Sequence, residues 1–204
     1  MIPAIETSAM LLAITGVAAY LLGSVPFGIV MARLFGLGDL RKIGSGNIGA
    51  TNVLRTGNKL AAFLTLVLDA GKGAIAVLLT RALVGEDAAQ LAGFAAFFGH
   101  CFPIFLGFKG GKGVATFIGT LLALAWPVGL AACATWLIVA AVTRYSSLSA
   151  LVAAVLSPVA ALFLGRPELV LLCILLAVLI LIRHRENITR LLNGTESRIG
   201  KKSA

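Results

Sequence analysis

Five stretches of the chain contain no charged side chain: 8–32, 88–108, 113–143, 145–165 and 169–182. A sixth stretch, 60–80, is apolar except for Asp69 and Lys72. A helix needs about 20 apolar residues to cross the roughly 30 Å hydrocarbon core of a bilayer. Of the 204 residues, 59% are hydrophobic and 12% are charged, whereas soluble domains carry about 25% charged residues. We therefore exclude a water-soluble globular fold and predict an all-α integral membrane protein.

The longest of these stretches, 113–143, is too long for one upright crossing. A single helix over these residues would be roughly 46 Å long at 1.5 Å per residue. The stretch contains Trp126-Pro127, an aromatic residue of the kind found at membrane interfaces followed by a residue that breaks or starts helices. We therefore consider two short crossings here, at about 114–126 and 127–143.

The distribution of Lys and Arg distinguishes six spans from seven. With six spans each side of the membrane carries 8 basic residues, whereas with seven the sides carry 14 and 2, with Lys72 inside a helix. Basic residues accumulate on the cytoplasmic side of membrane proteins. We therefore predict seven transmembrane helices in one polytopic domain, 1–204, with the N-terminus outside and the C-terminus cytoplasmic. The first six residues contain no Lys or Arg, so we expect the first span to be retained rather than cleaved.

The first of three polar segments on the predicted cytoplasmic side is a glycine-rich loop after the first span. Glycines let backbone N–H groups approach an anion closely, and hydroxyl and amide side chains add neutral donors. A guanidinium beside them suits bidentate contact with phosphate. The alternative is a polar loop whose Ser and Asn side chains cap a short helix. The candidate residues are Gly44, Ser45, Gly46, Asn47, Thr51, Asn52 and Arg55.

The second segment precedes the predicted helix at 114–126, whose N-terminus would present unpaired N–H groups and the positive end of a dipole. It is not a Walker A loop, because Leu106 and Gly113 stand where that pattern requires Gly and Ser or Thr around Lys112. The alternative is a tight turn whose lysines mark the inner face of the membrane. The candidate phosphate-binding residues are Lys109, Gly110, Gly111, Lys112, Gly113 and Thr116.

The third segment lies where the last span leaves the bilayer. His184 could donate a proton or hold an anion, and we expect Asn187, three residues later, on the same helical face. The alternative is a basic helix end that anchors the span at the interface. The short turn after residue 143 would add the guanidinium of Arg144 and the hydroxyl of Ser147 on the same side.

Three further ionisable residues lie within predicted spans. Asp69 and Lys72 are three residues apart, and ionisable groups in a membrane are costly and often functional. Their mutual pairing is an equally strong interpretation, and for His100 we favour a hydrogen-bonded packing role. All three, with Arg144, are candidates for support of the site.

Two patterns are missing from the sequence. Neither histidine begins an H-x-x-x-x-D motif, so a His–Asp catalytic device of that kind is missing. No His, Cys or carboxylate cluster has zinc spacing, so we expect no metal ion. No nucleophile–base pair is evident. Catalysis by positioning and charge stabilisation fits these residues best.

In these motifs the chain resembles the bacterial membrane acyl-phosphate:glycerol-3-phosphate acyltransferase family. Three long motifs match in the family's order and, with the shorter ones, cover most of the chain. The long motifs are Gly44–Asn52 with Arg55, Lys109–Thr116 and His184–Ile188; the shorter ones are Leu68–Gly73, Gly99-His100 with Pro103, and Arg144–Leu148.

The resemblance implies transfer of a fatty acyl group from acyl phosphate to the 1-hydroxyl of sn-glycerol 3-phosphate. The products would be 1-acyl-sn-glycerol 3-phosphate (lysophosphatidic acid) and phosphate, at the start of phospholipid biosynthesis. It also implies seven helices in the bacterial inner membrane and a site facing the cytoplasm. The expected partners are the two substrates and the lipid bilayer, with no acyl-CoA, cofactor or nucleic acid.

The residues and the resemblance together lead to a mechanistic hypothesis. The two glycine-rich loops would hold the two substrate phosphates, and Arg55 and Lys112 would offset charge on the departing phosphate. His184 and Asn187 would position glycerol 3-phosphate or its hydroxyl. The general base is either His184 or a phosphate oxygen of the acyl donor.

The rival function from another class is a transporter of a phosphorylated or anionic metabolite, since short helices that begin at glycine-rich loops suit that role too. A transporter should show a polar path through the spans. In this sequence the polar groups cluster on one predicted face.

Overall fold

The computed structural model describes residues 3–200, and every regular element in that range is helical. No β-strand occurs among these residues, so the prediction of an all-α protein is confirmed. The helices form two compact units, Ile5–Leu124 and 125–200 together with 3–4. Lys201 and Lys202, which entered the count of basic residues, lie outside the described residues.

The first unit is organised around its longest helix. Its helices are α1 (Ala9–Gly23), α2 (Phe27–Leu34), α3 (Ala50–Leu54), α4 (Lys59–Leu83), α5 (Glu86–Cys101) and α6 (Val114–Leu124). The helix α4 contacts all five of the others, and α1 packs extensively against α5. Asn58 caps the start of α4, where its Oδ1 accepts a hydrogen bond from the N–H of Ala61 at 2.9 Å. Both glycine-rich segments therefore connect helices that rest on α4.

The second unit contains four helices: α7 (Trp126–Thr143), α8 (Ser146–Phe163), α9 (Val170–Arg183) and α10 (Arg185–Leu192). The helix α8 packs against both α7 and α9, and α10 contacts α8 and α9. The final helix differs in character from the others. It is short and rich in charged residues, and it bends 64° away from the helical stretch Pro167–Arg183.

Long apolar helices dominate the described chain. Five are long and apolar enough to cross a membrane, and the bent pair formed by α9 and α10 would make a sixth. Large apolar side chains such as Val142 and Phe163 are 79% and 87% exposed, as expected of surfaces that face lipid. The five candidates are Ala9–Leu34, Lys59–Leu83, Glu86–Leu106, Trp126–Thr143 and Ser146–Phe163.

Two helix breaks shape the spans. The first apolar run is not one helix, because α1 ends at Gly23 and α2 begins only after Pro26, which has no N–H to continue the ladder. The break near Trp126-Pro127 is confirmed, because α6 ends at Leu124 and α7 begins at Trp126. The helix α6 has 11 residues and is therefore about 16 Å long, roughly half of the hydrocarbon core.

Glycines set the close approach of α6 to α4. A Cβ built on Gly119 would lie 2.0 Å from the carbonyl oxygen of Ala70, and one on Gly73 would lie 2.8 Å from the carbonyl oxygen of Thr116. No side chain fits at either position, so small residues bring the two backbones into contact, as is common in membrane helix pairs. The start of α6, where the second glycine-rich segment ends, is thereby fixed against α4.

Candidate active site

The first glycine-rich loop is organised by the buried amide of Asn52. Its Oδ1 accepts hydrogen bonds from the N–H of Ser45 at 3.1 Å and from Nη1 of Arg55 at 3.4 Å. Its Nδ2 donates to the carbonyl oxygens of Leu40 at 2.9 Å and Ile43 at 3.0 Å. Both amide hydrogens therefore hold the loop together, and Asn52 shapes the loop rather than donating to a ligand.

The glycines of this loop are required by the backbone. Gly44 and Gly46 have φ angles of +52° and +68°, in the left-handed region that side chains rarely adopt. A Cβ on Gly44 would also lie 2.6 Å from Oδ1 of Asn52 and 2.8 Å from Cδ of Arg55. The structure thus brings Gly44, Asn52 and Arg55 together, with the Arg55 side chain lying against the loop backbone.

Neutral donors line the outer side of the same loop. Ser45 and Thr51 are exposed, while Oδ1 of Asn47 accepts from the N–H of Ile48 at 2.9 Å. Ile48 itself is buried, and a Cβ on Gly28 of α2 would lie 1.7 Å from its carbonyl oxygen. The loop is therefore anchored on α2, and Oγ of Ser45 donates to Oδ1 of Asn52 at 3.4 Å although the residue itself is exposed.

The second glycine-rich loop folds back along the end of α5. The N–H of Gly111 donates to the carbonyl oxygen of His100 at 3.1 Å. A Cβ on Gly110 would lie 2.2 Å from that same oxygen, and one on Gly111 would lie 2.2 Å from Nε2 of the His100 ring. Both glycines are thus required for close packing on His100, an explanation that the sequence alone did not provide.

The end of this loop leads into α6. Gly113 has a φ of +83°, and a Cβ there would lie 2.2 Å from Cε2 of Phe97. The helix begins at the next residue, so its unpaired first-turn N–H groups lie directly beside the loop. Lys109 is exposed and Lys112 half-buried, which places two cations within a few residues of this helix start. The arrangement is chemically suited to an anion.

A buried ionic network lies beneath the second loop. Nζ of Lys72 is 3.0 Å from Oδ1 of Asp69, and Nδ1 of His100 is 3.4 Å from the same oxygen. Nζ of Lys72 also donates to the carbonyl oxygen of Val25 at 2.9 Å, in the break between α1 and α2. The expected pairing of Asp69 with Lys72 is present, and His100 joins it.

In the second unit the predicted residues Ser147 and Asn187 meet at a carboxylate. Oε1 of Glu196 accepts hydrogen bonds from Oγ of Ser147 at 2.8 Å and from Nδ2 of Asn187 at 2.6 Å. Nε of Arg190 donates to its Oε2 at 2.7 Å. Partial burial favours the neutral form of Glu196, but the hydrogen bonds from Asn187, Arg190 and Ser147 outweigh it and hold the pKa of that carboxyl below its usual value of 4.5.

Glu196 is not among the site residues that the sequence predicts. It lies in a polar segment after the last helix, and its partner Ser147 is 49 residues away. The only available signal was a lone carboxylate in a tail that is otherwise basic or neutral. The three donors that gather around it mark it as the centre of this cluster.

His184 lies at the junction of α9 and α10. Nδ1 of this buried ring is 2.8 Å from the carbonyl oxygen of Ile180, which can only accept, so Nδ1 carries a hydrogen. In the neutral ring Nε2 is then the basic nitrogen. The chain turns 64° between α9 and α10, and His184 is the N-cap residue of α10: its carbonyl oxygen accepts the N–H of Ile188 at 2.9 Å. Asn187 lies in the first turn of the same helix.

Arg144 connects the turn before α8 to the polar tail. Its φ is +62°, which ends α7, and its Nη2 donates to the carbonyl oxygen of Ile199 at 2.8 Å. The N–H of Ile199 donates back to the Arg144 carbonyl oxygen at 2.7 Å. Nε of Arg198 donates to the hydroxyl of Tyr145 at 3.2 Å. The tail is thus fastened beside Ser147, and Arg144 supports that contact.

No group of three or more His, Cys, Asp or Glu residues in the part of the chain that the structure describes is close enough to hold a metal ion. The predicted site residues lie in two groups, one in each unit. Those of the first unit surround the two glycine-rich loops and the network under the second loop. Those of the second unit surround Glu196 and His184.

Comparison with known proteins gives consistent matches along nearly the whole chain. The family model described as glycerol-3-phosphate acyltransferase matches residues 13–194. The glycerol-3-phosphate acyltransferase of Jannaschia sp. (strain CCS1) is 77% identical to this chain over 203 residues, and the alignment covers 100% of both proteins. That of Dinoroseobacter shibae is 66% identical over 200 residues, with 98% of each chain covered.

Two solved structures are also similar. The crystal structure of PlsY (YgiH), an integral membrane glycerol 3-phosphate acyltransferase, in its glycerol 3-phosphate form has a TM-score of 0.87 and 42% sequence identity to this chain. The match covers 93% of this chain and 96% of that one. The lysophosphatidic acid form of the same protein has a TM-score of 0.86 and 41% identity, with 93% and 95% covered.

Proposed function

This chain belongs to the glycerol-3-phosphate acyltransferase family, and from that premise we propose that it transfers a fatty acyl group from acyl phosphate to the 1-hydroxyl of sn-glycerol 3-phosphate. The products are 1-acyl-sn-glycerol 3-phosphate and inorganic phosphate. The acceptor and product are supported by the glycerol 3-phosphate and lysophosphatidic acid forms of the similar PlsY structure.

The presence of two glycine-rich loops in the first unit supports acyl phosphate as the acyl donor. Each loop combines left-handed backbone that side chains rarely adopt with nearby cations: Arg55 in one, and Lys109 and Lys112 in the other. Acyl phosphate and glycerol 3-phosphate each carry a phosphate, so two anion-binding loops match two phosphorylated substrates. The mixed anhydride already contains a good leaving group, which agrees with a site built from donors and cations.

In this proposal the first-unit residues stabilise charge. The guanidinium of Arg55, held against Gly44 and Asn52, forms bidentate contacts with a phosphate. Lys112, at the start of α6, offsets the charge that develops on the departing phosphate. Ser45 and Thr51 add hydroxyl donors.

The second-unit residues orient the acceptor. Asn187 and Ser147, fixed by Glu196, direct glycerol 3-phosphate, and His184 positions its hydroxyl. The bond from Nδ1 to Ile180 leaves Nε2 as the atom that would take the proton, if His184 rather than a donor phosphate oxygen is the base. A pH–rate profile of His184→Gln distinguishes these two candidate bases. If His184 is the base, we expect the part of the parent's profile that reports its titration to be absent from the variant. Unchanged turnover in the variant would exclude His184 as the base.

We also propose seven crossings of the bacterial inner membrane, with both glycine-rich loops facing the cytoplasm. The 14-to-2 distribution of basic residues supports this orientation. The helix α6 is about 16 Å long, so its crossing includes the preceding glycine segment, which folds back along the end of α5.

The test uses purified protein in detergent, supplied with glycerol 3-phosphate and either acyl phosphate or acyl-CoA. We expect phosphate release and lysophosphatidic acid formation with acyl phosphate and none with acyl-CoA. Formation of lysophosphatidic acid with acyl-CoA but not with acyl phosphate would overturn the proposed donor. Because detergent abolishes transport but not catalysis, the same assay discriminates the acyltransferase from the transporter considered above.

A further inference from the structure

Three ionisable side chains within the helices of the first unit are buried where charge is costly. The Asp69 and Lys72 side chains on α4 are 3% and 1% exposed, and His100 on α5 is 5% exposed. Removing such groups from water is costly, and their mutual attraction offsets that cost only when the geometry is good. No step of the proposed reaction uses these three side chains.

His100 connects this network to one end of the second glycine-rich loop. Its Nδ1 faces Asp69, and the opposite edge of the ring, at Nε2, faces the backbone of Gly111. The ring therefore stands between the carboxylate and the loop. The carbonyl oxygen of the same residue accepts the N–H of Gly111, so backbone and ring both contact one loop residue.

Asp69 connects the network to the other end of the loop. Its carbonyl oxygen accepts a hydrogen bond from Oγ1 of Thr116 at 2.9 Å, in the first turn of α6. Thr116 is fully buried, and a Cβ on Gly73 of α4 would lie 2.8 Å from its carbonyl oxygen, so α4 and α6 pack closely at this point. The segment 111–116 is thus held at its beginning and at its end by residues of the network.

We propose that His100, Asp69 and Lys72 form a positioning network that holds the Lys109–Thr116 loop in the conformation that binds phosphate. Lys72 balances the Asp69 carboxylate and ties it to the carbonyl oxygen of Val25 in the broken first span. The inference rests on the proposed function in one respect, namely that this loop binds a substrate phosphate.

A double-mutant cycle tests the contact between His100 and Gly111. The φ of Gly111 is not in the left-handed region, and the three atoms nearest to a Cβ on Gly111 all belong to the His100 ring, the closest at 2.2 Å. We expect His100→Ala and Gly111→Ala each to raise the KM for one phosphorylated substrate about tenfold, with a smaller change in kcat. The double variant should be no worse than either single one, because the new methyl group occupies space left by the ring.

Gly110→Ala is the matched control. Its Cβ would meet the backbone carbonyl of His100, which His100→Ala does not remove. We therefore expect the effects of Gly110→Ala and His100→Ala to add. If Gly111→Ala and His100→Ala add in the same way, the ring does not position the loop and the proposal is overturned.

Hydrogen–deuterium exchange gives a readout that does not depend on turnover. We expect amides of 109–116 to exchange at least about tenfold faster in His100→Ala, while those of the Gly44–Arg55 loop stay unchanged. His100→Asn, which keeps a donor toward Asp69, should restore part of the protection and covers the case in which the alanine variant unfolds. Unchanged exchange in both variants would refute the network. Faster exchange with an unchanged KM for both substrates would instead refute phosphate binding by this loop, and with it that part of the proposed function.

Discussion

Two carboxylates, one in each unit, hold predicted site residues in place from opposite surroundings. Asp69 is enclosed by α4 and α5, and its partners Lys72 and His100 are as deeply buried as it is. Glu196 lies beyond the last helix, and although its own side chain is 6% exposed, its partner Arg190 is 36% exposed. The chemistry of the two anchors is the same, but the dielectric around them differs.

This difference in surroundings predicts what the protein loses when either carboxylate, Asp69 or Glu196, is replaced. A buried charge that loses its counter-charge retains the full desolvation penalty, so removal of one member is costlier than removal of both. A charge near water can be solvated again when its partner is lost. Damage at Asp69 should therefore appear first as lost stability, and damage at Glu196 as lost activity.

The largest expected effect follows Asp69→Asn, which leaves Lys72 buried without its counter-charge. We expect a loss of about 3–5 kcal/mol in the free energy of unfolding, measured by thermal or denaturant unfolding in detergent. The control is the double variant Asp69→Leu with Lys72→Met, which removes both charges and should be distinctly more stable. Unfolding of Asp69→Asn at the same temperature as the parent would show that the pair is not a structural anchor.

A smaller effect on stability, but a clear one on rate, follows Glu196→Ala. Ser147 and Asn187 lose the acceptor that orients them, so we expect kcat/KM to fall about tenfold while the unfolding temperature changes little. Glu186→Ala makes the same change of charge at an exposed position on α10, and we expect it to leave kcat/KM nearly unchanged. Equal effects of the two variants would mean that only net charge matters in this region.

Acid should imitate the Glu196 variant in the parent protein. Because the folded pKa of Glu196 lies below 4.5, its contribution is complete above that pH and is lost as pH falls through the lowered pKa. The protection factors of the amides of 194–200, corrected for the intrinsic pH dependence of exchange, should fall in that acid range, whereas in Glu196→Gln they should not depend on pH there. Acid-induced loosening that persists in Glu196→Gln would assign the titration to another group.

The sequence predicts much of the fold because its strongest patterns are local. Long apolar runs indicate the helices, and Trp126-Pro127 marks the break before α7 to within about a residue. The glycine-rich loops are recognisable because the left-handed backbone at Gly44, Gly46 and Gly113 strongly favours glycine, a local preference that does not depend on where the loop packs.

The parts that escaped prediction depend on distant residues meeting. The sequence predicts that Gly110 and Gly111 contact phosphate. Their tight packing against His100 could not be predicted, because it depends on the loop folding back along α5. The sequence suggests that Asn52 donates to a ligand, whereas in the structure its Nδ2 donates to the carbonyl oxygens of Leu40 and Ile43. Glu196 gives no pattern at all, because the contact with Ser147 crosses 49 residues.

The pairing of Asp69 with Lys72 also bears on how α4 enters the membrane. The two charges are three residues apart on one helix, so they can neutralise each other as soon as that turn forms, before α5 or α6 is present. A lone ionised group at the centre of a span opposes insertion, whereas a pair in contact enters with no net charge. The chain thus delivers two ionised side chains to the membrane interior as one electrically neutral helix, and His100 can join them only once α5 has been inserted.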